Sequence, residues 1–294
     1  MLIARTPAAL LATPGDVLFW HHGCASASGP ADARMCVKAM ARGAEELARR
    51  GLRMRLDEDA YLILNAGEPS AGVYRGDAEV RALSLHFADA TLRQAALNGV
   101  DADEPVRCVP RFLEHLRHRG DAVGERLAQM ARRLEAHELD DTWFECQALA
   151  LLDDALAAED DWRLAVSRIA SVKPATQHEL HRRVAIAADY IWSNHERPTT
   201  LADIAGAAHL SRFHLVRLFR QVYGQTPHAY LQEKRLMVAE RLLARTYLDL
   251  EEVATRAGFG NRWSLFRQLR RRRGRGGEAM RRSFEGSTAC PTSA

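Results

Sequence analysis

Two stretches in the last third of the chain carry arginine at matched positions. Arg217 and Arg220 recur 50 residues later as Arg267 and Arg270. A guanidinium group donates two parallel hydrogen bonds, which fit either the O6 and N7 edge of guanine or a phosphate group. The spacing therefore indicates a repeated surface that binds a polyanion, with nucleic acid as the first candidate.

These arginines belong to an internal repeat. Its first half recurs at an offset of 49 residues and its second half at 50, which implies one inserted residue. The matched positions are Leu201/Leu250, Ile204/Val253, Ala205/Ala254, Ala208/Ala257, Leu210/Phe259, Ser211/Asn261, Leu215/Leu265, Arg217/Arg267, Phe219/Leu269, Arg220/Arg270 and Gly224/Gly274. So many matches with one insertion indicate that a structural unit was duplicated.

Each copy predicts two short helices joined by a tight turn. The pattern Leu-x-x-Ile/Val-Ala-x-x-Ala places small residues on one face, where another helix can approach closely. Ser211 and Asn261 are good N-cap residues for the second helix of each copy. That second helix has apolar residues on one side and arginine on the other, which is the helix-turn-helix arrangement.

We expect the outer face of each second helix to contact DNA. Arg217 and Arg267 are the leading candidates for base edges, and Phe213 and Trp263 are candidates for thymine methyl groups. The full expected set is Ser211, Arg212, Phe213, His214, Val216, Arg217, Arg220, Asn261, Arg262, Trp263, Ser264, Phe266, Arg267 and Arg270. For either unit alone, an ordinary helical bundle with a solvated charged face is the alternative.

Charge is divided unevenly along the 294 residues. The formal net charge is only +3, but residues 170–294 carry 21 Lys+Arg against 11 Asp+Glu, and residues 1–169 carry 20 against 27. A basic carboxy-terminal half behind an acidic front is expected when one part meets a polyanion and the other does not. The basic half contains the whole repeat.

The stretch from Glu179 to Arg282, which contains this repeat, resembles the AraC/XylS family of bacterial transcription regulators. The motifs that carry the resemblance are Leu-Ser-Arg-Phe-His-Leu (210–215), Leu-Phe-Arg (218–220), Gly-x-Thr-Pro (224–227), Ala-x-x-x-Gly-Phe (254–259) and Arg267. The resemblance implies two helix-turn-helix units joined by a long helix, here 227–245, that bind double-stranded DNA.

The sequence departs from the family pattern after the second unit. Gly276-Gly277 stands where the family repeats Thr-Pro, and Met280 stands where it has an aromatic residue. Trp263 and Phe266 replace shorter polar residues on the second recognition helix. The run Arg270–Arg273 is expected to strengthen contact with phosphate.

The front of the chain is expected to be β-rich and then helical. Short apolar runs at 16–20 and 60–65 and the alternation at 80–87 predict strands, whereas 33–56 fits either a helix or hairpins around Gly43 and Gly51. Apolar spacing then predicts two helices, one from about 122 and one after 140–142, whose apolar face packs on the sheet or forms a dimer surface. This part is similar to the cupin-like sensor domain of the family.

The expected fold class is therefore α+β: a β-rich cupin-like domain with a helical hairpin, followed by an all-α tandem helix-turn-helix domain. The expected domains are 1–160 for sensing and dimerisation (β-rich 1–95, helical 110–160), a linker at 161–178, a DNA-binding domain at 179–284, and a disordered tail at 285–294.

Other chemistry has weaker support in the sequence. The five cysteines form no CxxC pair, and Cys36 and Cys146 are expected to be buried apolar residues rather than nucleophiles. Adjacent His21 and His22 on a strand point to opposite faces, so no metal, cofactor or catalytic residue is expected. No apolar run is long enough to span a membrane, and no signal peptide is evident.

The sequence therefore predicts a cytoplasmic, non-enzymatic, DNA-binding activator. Its expected partners are double-stranded DNA, RNA polymerase, a small-molecule effector of unknown identity, and a second copy bound through helices in 122–157. Two alternatives stay open: a metal-dependent cupin enzyme with an appended helical domain, and a nonspecific DNA-binding protein.

Overall fold

The structure is a computed structural model that describes residues 2–4, 15–24, 32–49, 52–67, 72–75, 79–98, 109–167 and 174–273. The chain divides into two compact units, Met1–Ala185 and Ile186–Ala294. The expected tail at 285–294, and the Gly276-Gly277 and Met280 departures, lie outside the described residues.

Two β-sheets form the first part of unit one. The described strands are β1 (Leu2–Ala4), β2 (Val17–Cys24), β3 (Met35–Arg42), β4 (Ala44–Arg49), β5 (Leu52–Asp57), β6 (Ala60–Leu64), β7 (Gly72–Arg75), β8 (Glu79–Phe87) and β9 (Leu116–His118). The larger sheet has the order β1-β2-β8-β3-β6-β9 and the smaller β5-β4-β7. All described pairings are antiparallel except β1 with β2.

The three expected strands are confirmed, and the ambiguous stretch at 33–56 resolves into strands rather than a helix. Gly43 joins β3 to β4 with a φ of 85°, a left-handed conformation that glycine adopts without strain. A Cβ at this position would lie 2.9 Å from the carbonyl oxygen of Arg75. The turn at Gly43 thus carries the chain from the larger sheet to the smaller one; Gly51 lies outside the described residues.

The helices that the structure describes in this part of unit one are α1 (Asp89–Asn98), α2 (Ala122–Glu135) and α3 (Asp141–Ser167). The apolar faces of α2 and α3 are buried in one core together with one face of the larger sheet. Leu127 and Leu151, for example, are fully buried there with Leu85. The predicted helical hairpin is confirmed, and its apolar face packs on the sheet, so a dimer would have to use its outer face.

The interior of unit one also holds charge. Lys38 on β3 donates a 2.7 Å hydrogen bond from Nζ to Oε1 of Glu45 on β4, and both side chains are only 2% exposed. His21 on β2 stacks on Tyr74 of β7, with ring centroids 4.5 Å apart. Charged and aromatic side chains therefore join the two sheets.

The segment expected to be a linker, 161–178, is helical wherever the structure describes it. Helix α3 continues to Ser167, and α4 (Pro174–Asn194) begins before the segment ends. The physical reason is tertiary contact: Trp162 of α3 stacks on His115, with centroids 4.7 Å apart, and packs against His181 of α4 at 4.3 Å. Residues 168–173 lie outside the described residues.

The second unit is helical over its described residues. After α4 come α5 (Leu201–Ala207), α6 (Arg212–Tyr223), α7 (Pro227–Arg245), α8 (Leu250–Arg256) and α9 (Arg262–Arg273). The α+β class is thus confirmed. In the part of the chain that the structure describes, no helix is long and apolar enough to cross a membrane.

Candidate nucleic-acid interface

The first helix-turn-helix unit consists of α5 and α6. Helix α5 begins with a capping box in which Thr200 Oγ1 accepts from the Asp203 amide at 3.2 Å and Asp203 Oδ2 accepts from the Thr200 amide at 2.8 Å. The Thr200 hydroxyl also donates to Asp203 Oδ2 at 2.6 Å, and this hydrogen bond, followed by the one from the Thr200 amide, lowers the pKa of the Asp203 carboxyl. After α5, His209 adopts a φ of 51°, and the Leu210 amide donates to the Ala205 carbonyl at 2.9 Å.

The second helix-turn-helix unit consists of α8 and α9, and its turn has the same backbone hydrogen bond as the first. Asp249 caps α8 by accepting from the Glu252 amide at 2.7 Å. Gly258 has a φ of 85°, and the Phe259 amide donates to the Ala254 carbonyl at 2.8 Å. Since 258, 259 and 254 are the repeat partners of 209, 210 and 205, the same hydrogen bond turns the chain in both copies.

The two recognition helices, α6 and α9, also begin alike. Ser211 Oγ accepts from the His214 amide at 3.3 Å, and Asn261 Oδ1 accepts from the Ser264 amide at 2.9 Å. Both predicted N-caps are confirmed. In addition, Glu251 of α8 accepts from the Arg262 amide at 3.4 Å, which ties the start of α9 to the preceding helix.

Both recognition helices present the same face to solvent. Leu215, Leu218 and Phe219 are buried in α6, as are Leu265 and Leu269 in α9, whereas Val222 is half-buried. Of the expected DNA-contacting set, those exposed are Ser211, Arg212, Phe213, Arg217, Arg220, Asn261, Arg262, Trp263, Phe266, Arg267 and Arg270, and those half-buried are His214, Val216 and Ser264.

The guanidinium groups on this face lack acidic partners. Among the described residues, none of Arg212, Arg217, Arg220, Arg267 and Arg270 forms an ion pair with a carboxylate. Arg262 lies over the ring of Trp263, with its Cζ 5.3 Å from the centroid. Cations with no internal counter-charge on one side of both helices create a surface suited to a polyanion.

Helix α7, predicted at 227–245, has these bounds and links the two units. Thr226 caps it by accepting from the Ala229 amide at 3.1 Å, and Pro227 occupies its first turn. It also contains two cations that the sequence analysis missed, Lys234 and Arg235. Lys234 is 1% exposed, and its Nζ lies 4.1 Å from the ring centroid of Trp192.

Arg235 ties α7 to the segment that follows α4. Its Nε donates to the His195 carbonyl at 2.8 Å and its NH2 to the Arg197 carbonyl at 2.9 Å, and burial lowers the pKa of its guanidinium. A Cβ on Gly258 would lie 2.1 Å from that same His195 oxygen. In the sequence, the sign that Lys234 is buried is its spacing from Leu231 and Val238, which places it on the apolar face of α7.

The other candidates in the sequence lie in unit one and are not brought together. His21 stacks on Tyr74 while His22 hydrogen-bonds to Glu79, so the two point apart as expected. No group of three or more His, Cys, Asp or Glu able to hold a metal occurs among the described residues. Cys36 is buried, but Cys146 is exposed on α3, so our expectation that it is buried was wrong.

Unit one also has an open cavity of about 400 Å³ between the larger sheet and the end of α2. Its lining residues are Trp20, His21, His22, Arg81, Leu134, Glu135 and His137. Arg81 spans two carboxylates there, at 2.9 Å from Glu79 and 3.0 Å from Glu135.

Comparison with known proteins agrees with the geometry of the second unit. Residues 204–283 match the family model described as "Helix-turn-helix domain". The chain is 28% identical over 92 residues to the HTH-type transcriptional regulator AlkR of Acinetobacter baylyi, covering 31% of this chain and 30% of AlkR. It is 37% identical over 73 residues to the regulator ExsA of Pseudomonas aeruginosa, covering 25% of each chain.

A solved transcriptional regulator from Chromobacterium violaceum, described as having an AraC-type DNA-binding domain, is 27% identical over 41% of this chain and 100% of its own, with a TM-score of 0.34. The chain spans about a third of the length of the first curated relatives it matches. The match of residues 204–283 to a helix-turn-helix domain agrees with the two helix pairs described above. This favours a DNA-binding regulator over the metal-dependent enzyme.

Proposed function

We propose that this protein is a sequence-specific DNA-binding transcription regulator. Helices α6 and α9 enter successive major grooves on one face of the duplex, about 34 Å apart. The observation that carries the proposal is the matched outer face of the two helices, on which the exposed Arg217, Arg220, Arg267 and Arg270 have no acidic partner among the described residues.

Each exposed residue has a role that its position suggests. Arg217 and Arg267 lie near the middle of their helices and hydrogen-bond to base edges, with Arg212 and Arg262, the first residues of the two helices, as further base contacts. The capping residues Ser211 and Asn261, with His214 and Ser264, lie at the helix starts near the backbone. Arg220 and Arg270, one turn later, pair with phosphate.

In vitro selection from random DNA with the purified full chain tests this proposal. We expect an enriched motif with two half-sites and a preference of roughly 10³-fold or more over random DNA. Equal binding to every sequence would support the nonspecific alternative and overturn the proposal.

We further propose that the protein is a homodimer through the outer faces of α2 and α3. The support is apolar exposure on α3, where Leu149 is 47% and Leu164 is 61% exposed, next to the exposed Cys146. Sedimentation of the full chain should give twice the monomer mass, and Leu149→Glu should lower it. A wild-type chain that sediments as a monomer at high concentration contradicts the dimer.

The remaining proposals concern regulation. We propose a cytoplasmic activator that recruits RNA polymerase and responds to a small-molecule effector, for which the cavity near Arg81 is large enough. Transcription in vitro from a selected promoter, with polymerase present, should rise when the protein is added. A fall in transcription would instead assign repression.

A further inference from the structure

The two recognition helices differ in one feature of their outer faces, the size of their apolar residues. Phe213 in α6 and Trp263 in α9 are repeat partners and are 80% and 65% exposed. Three residues later, α6 has the half-buried Val216, whereas α9 has Phe266, which is 40% exposed. Helix α9 therefore has two exposed aromatic rings where α6 has one.

Trp263 and Phe266 lie three residues apart on α9. Residues three apart on a helix are neighbours, with Cβ atoms about 5–6 Å apart. Base pairs rise about 3.4 Å along the duplex, so side chains at this spacing reach neighbouring base pairs.

The charge around the two rings indicates which kind of molecule binds to them. Arg262, Arg267 and Arg270 surround Trp263 and Phe266, and in the described part of the chain none of the three guanidinium groups has an acidic partner. An apolar protein surface or a lipid tail would leave these charges uncompensated. A major groove offers phosphates at its edges and, on its floor, the thymine methyl group as its apolar contact.

We propose that Trp263 and Phe266 together read the methyl groups of two adjacent T·A base pairs, which makes the half-site under α9 thymine-rich. This inference rests on the proposed function and adds to it the chemistry of one half-site. Phe266, which has no aromatic counterpart in α6, is the residue that extends the contact from one thymine to two.

The experiment combines operator variants with protein variants. The selected operator is used first with Arg267→Ala, and the positions whose preference relaxes define the α9 half-site. Thymine in that half-site is then replaced by uracil, which removes the methyl group and keeps the base-pairing edge. We expect affinity to fall about fourfold for each of two adjacent positions, as one buried methyl group is worth about 0.8 kcal/mol.

The protein variants test which side chain meets which methyl group. Phe266→Val, which gives α9 the residue of α6, should remove the uracil effect at one position only. The double variant Trp263→Ala/Phe266→Ala should bind thymine and uracil operators equally. The substituted side chains are exposed in the wild-type chain, so the fold should be kept, and thermal unfolding checks this.

The outcomes separate the inference from the proposed function. If selection enriches a motif but uracil changes nothing in the α9 half-site, the inference is overturned and the regulator stands. The inference is equally overturned if the aromatic variants lose no uracil sensitivity, or if they abolish self-association instead of DNA contact. If selection enriches no motif, both fail.

Discussion

His209 and Gly258 hold the same left-handed backbone position in the two helix-turn-helix turns, with φ of 51° and 85°. Each precedes the residue whose amide bonds back to the alanine five positions earlier, at 2.9 Å and 2.8 Å. The second turn has glycine at this position, whereas the first has histidine. The difference lies in the surroundings, because only Gly258 is pressed against the His195 carbonyl.

The first prediction concerns these turns. Gly258→Ala should destabilise the second unit by more than the about 1–2 kcal/mol of left-handed strain, since its Cβ also clashes with the His195 oxygen. Gly258→Asn should remain destabilised, because asparagine tolerates the conformation but still carries a Cβ. His209→Gly should be neutral or mildly stabilising. Urea unfolding gives the free energy of unfolding of all three variants. An unchanged value for Gly258→Ala would contradict the close approach of Gly258 to the His195 carbonyl.

The second prediction concerns DNA contact. Arg217→Ala should cost about 1–3 kcal/mol on the selected site and relax base preference there. Arg271→Ala, on the exposed end of α9, should weaken binding equally for all sequences and reduce the salt dependence. Arg182→Ala removes an equal charge from α4, where Arg182 pairs with Glu179, and serves as the control. An unchanged footprint with Arg217→Ala would exclude its role in base readout.

The third prediction concerns Arg235. Arg235→Met should destabilise the second unit by about 1–3 kcal/mol, because it removes the hydrogen bonds to the His195 and Arg197 carbonyls. DNA affinity measured well below the unfolding transition should hardly change, since Arg235 does not lie on the outer face of α6 or α9. A loss of affinity without a loss of stability would instead place Arg235 at the DNA.

The fourth prediction concerns the buried ion pair in unit one. Lys38→Met should cost about 3–5 kcal/mol because it leaves the Glu45 carboxylate buried without its ammonium partner. Lys38→Met/Glu45→Met should recover most of that loss. Chemical denaturation of the two single variants and the double variant gives the coupling energy, and strictly additive losses would show that the pair is not coupled.

The fifth prediction concerns pH. Burial, then the charges of His178 and Arg117, lower the pKa of His181 from 6.5 to about 4. As pH falls, His181 is therefore protonated in the unfolded chain at a higher pH than in the folded chain. The contribution of neutral His181 to stability is complete above about pH 6.5 and is lost towards pH 4.

His181→Phe keeps a ring against Trp162 and should flatten the fall in unfolding free energy across that range. A smaller slope should remain, since burial also lowers the pKa of His115 well below its ordinary value. His228→Phe, at an exposed position of α7, is the control and should keep the wild-type slope. Equal slopes for wild type and His181→Phe would contradict the prediction.

The sequence alone determined most of the second unit. Its signals are local: the 3.6-residue apolar period, the N-caps Ser211 and Asn261, and Pro227 at the start of α7 each act within a turn or two of helix. Because the unit is repeated, each local pattern was also seen twice. The outward direction of the arginines followed from these patterns, whereas the bounds of α7 followed from the resemblance to the AraC/XylS family.

Tertiary structure decided what depends on distant partners. Residues 44–57 became strands because β4 pairs with both β5 and β7, contacts that local spacing does not encode. The described parts of the expected linker, 161–167 and 174–178, are helical, with Trp162 packed against His115 and His181. Lys234 is buried against Trp192 and Arg235 is held by two backbone carbonyls, whereas Arg212, Arg217, Arg220, Arg267 and Arg270 have no carboxylate partner among the described residues and are exposed.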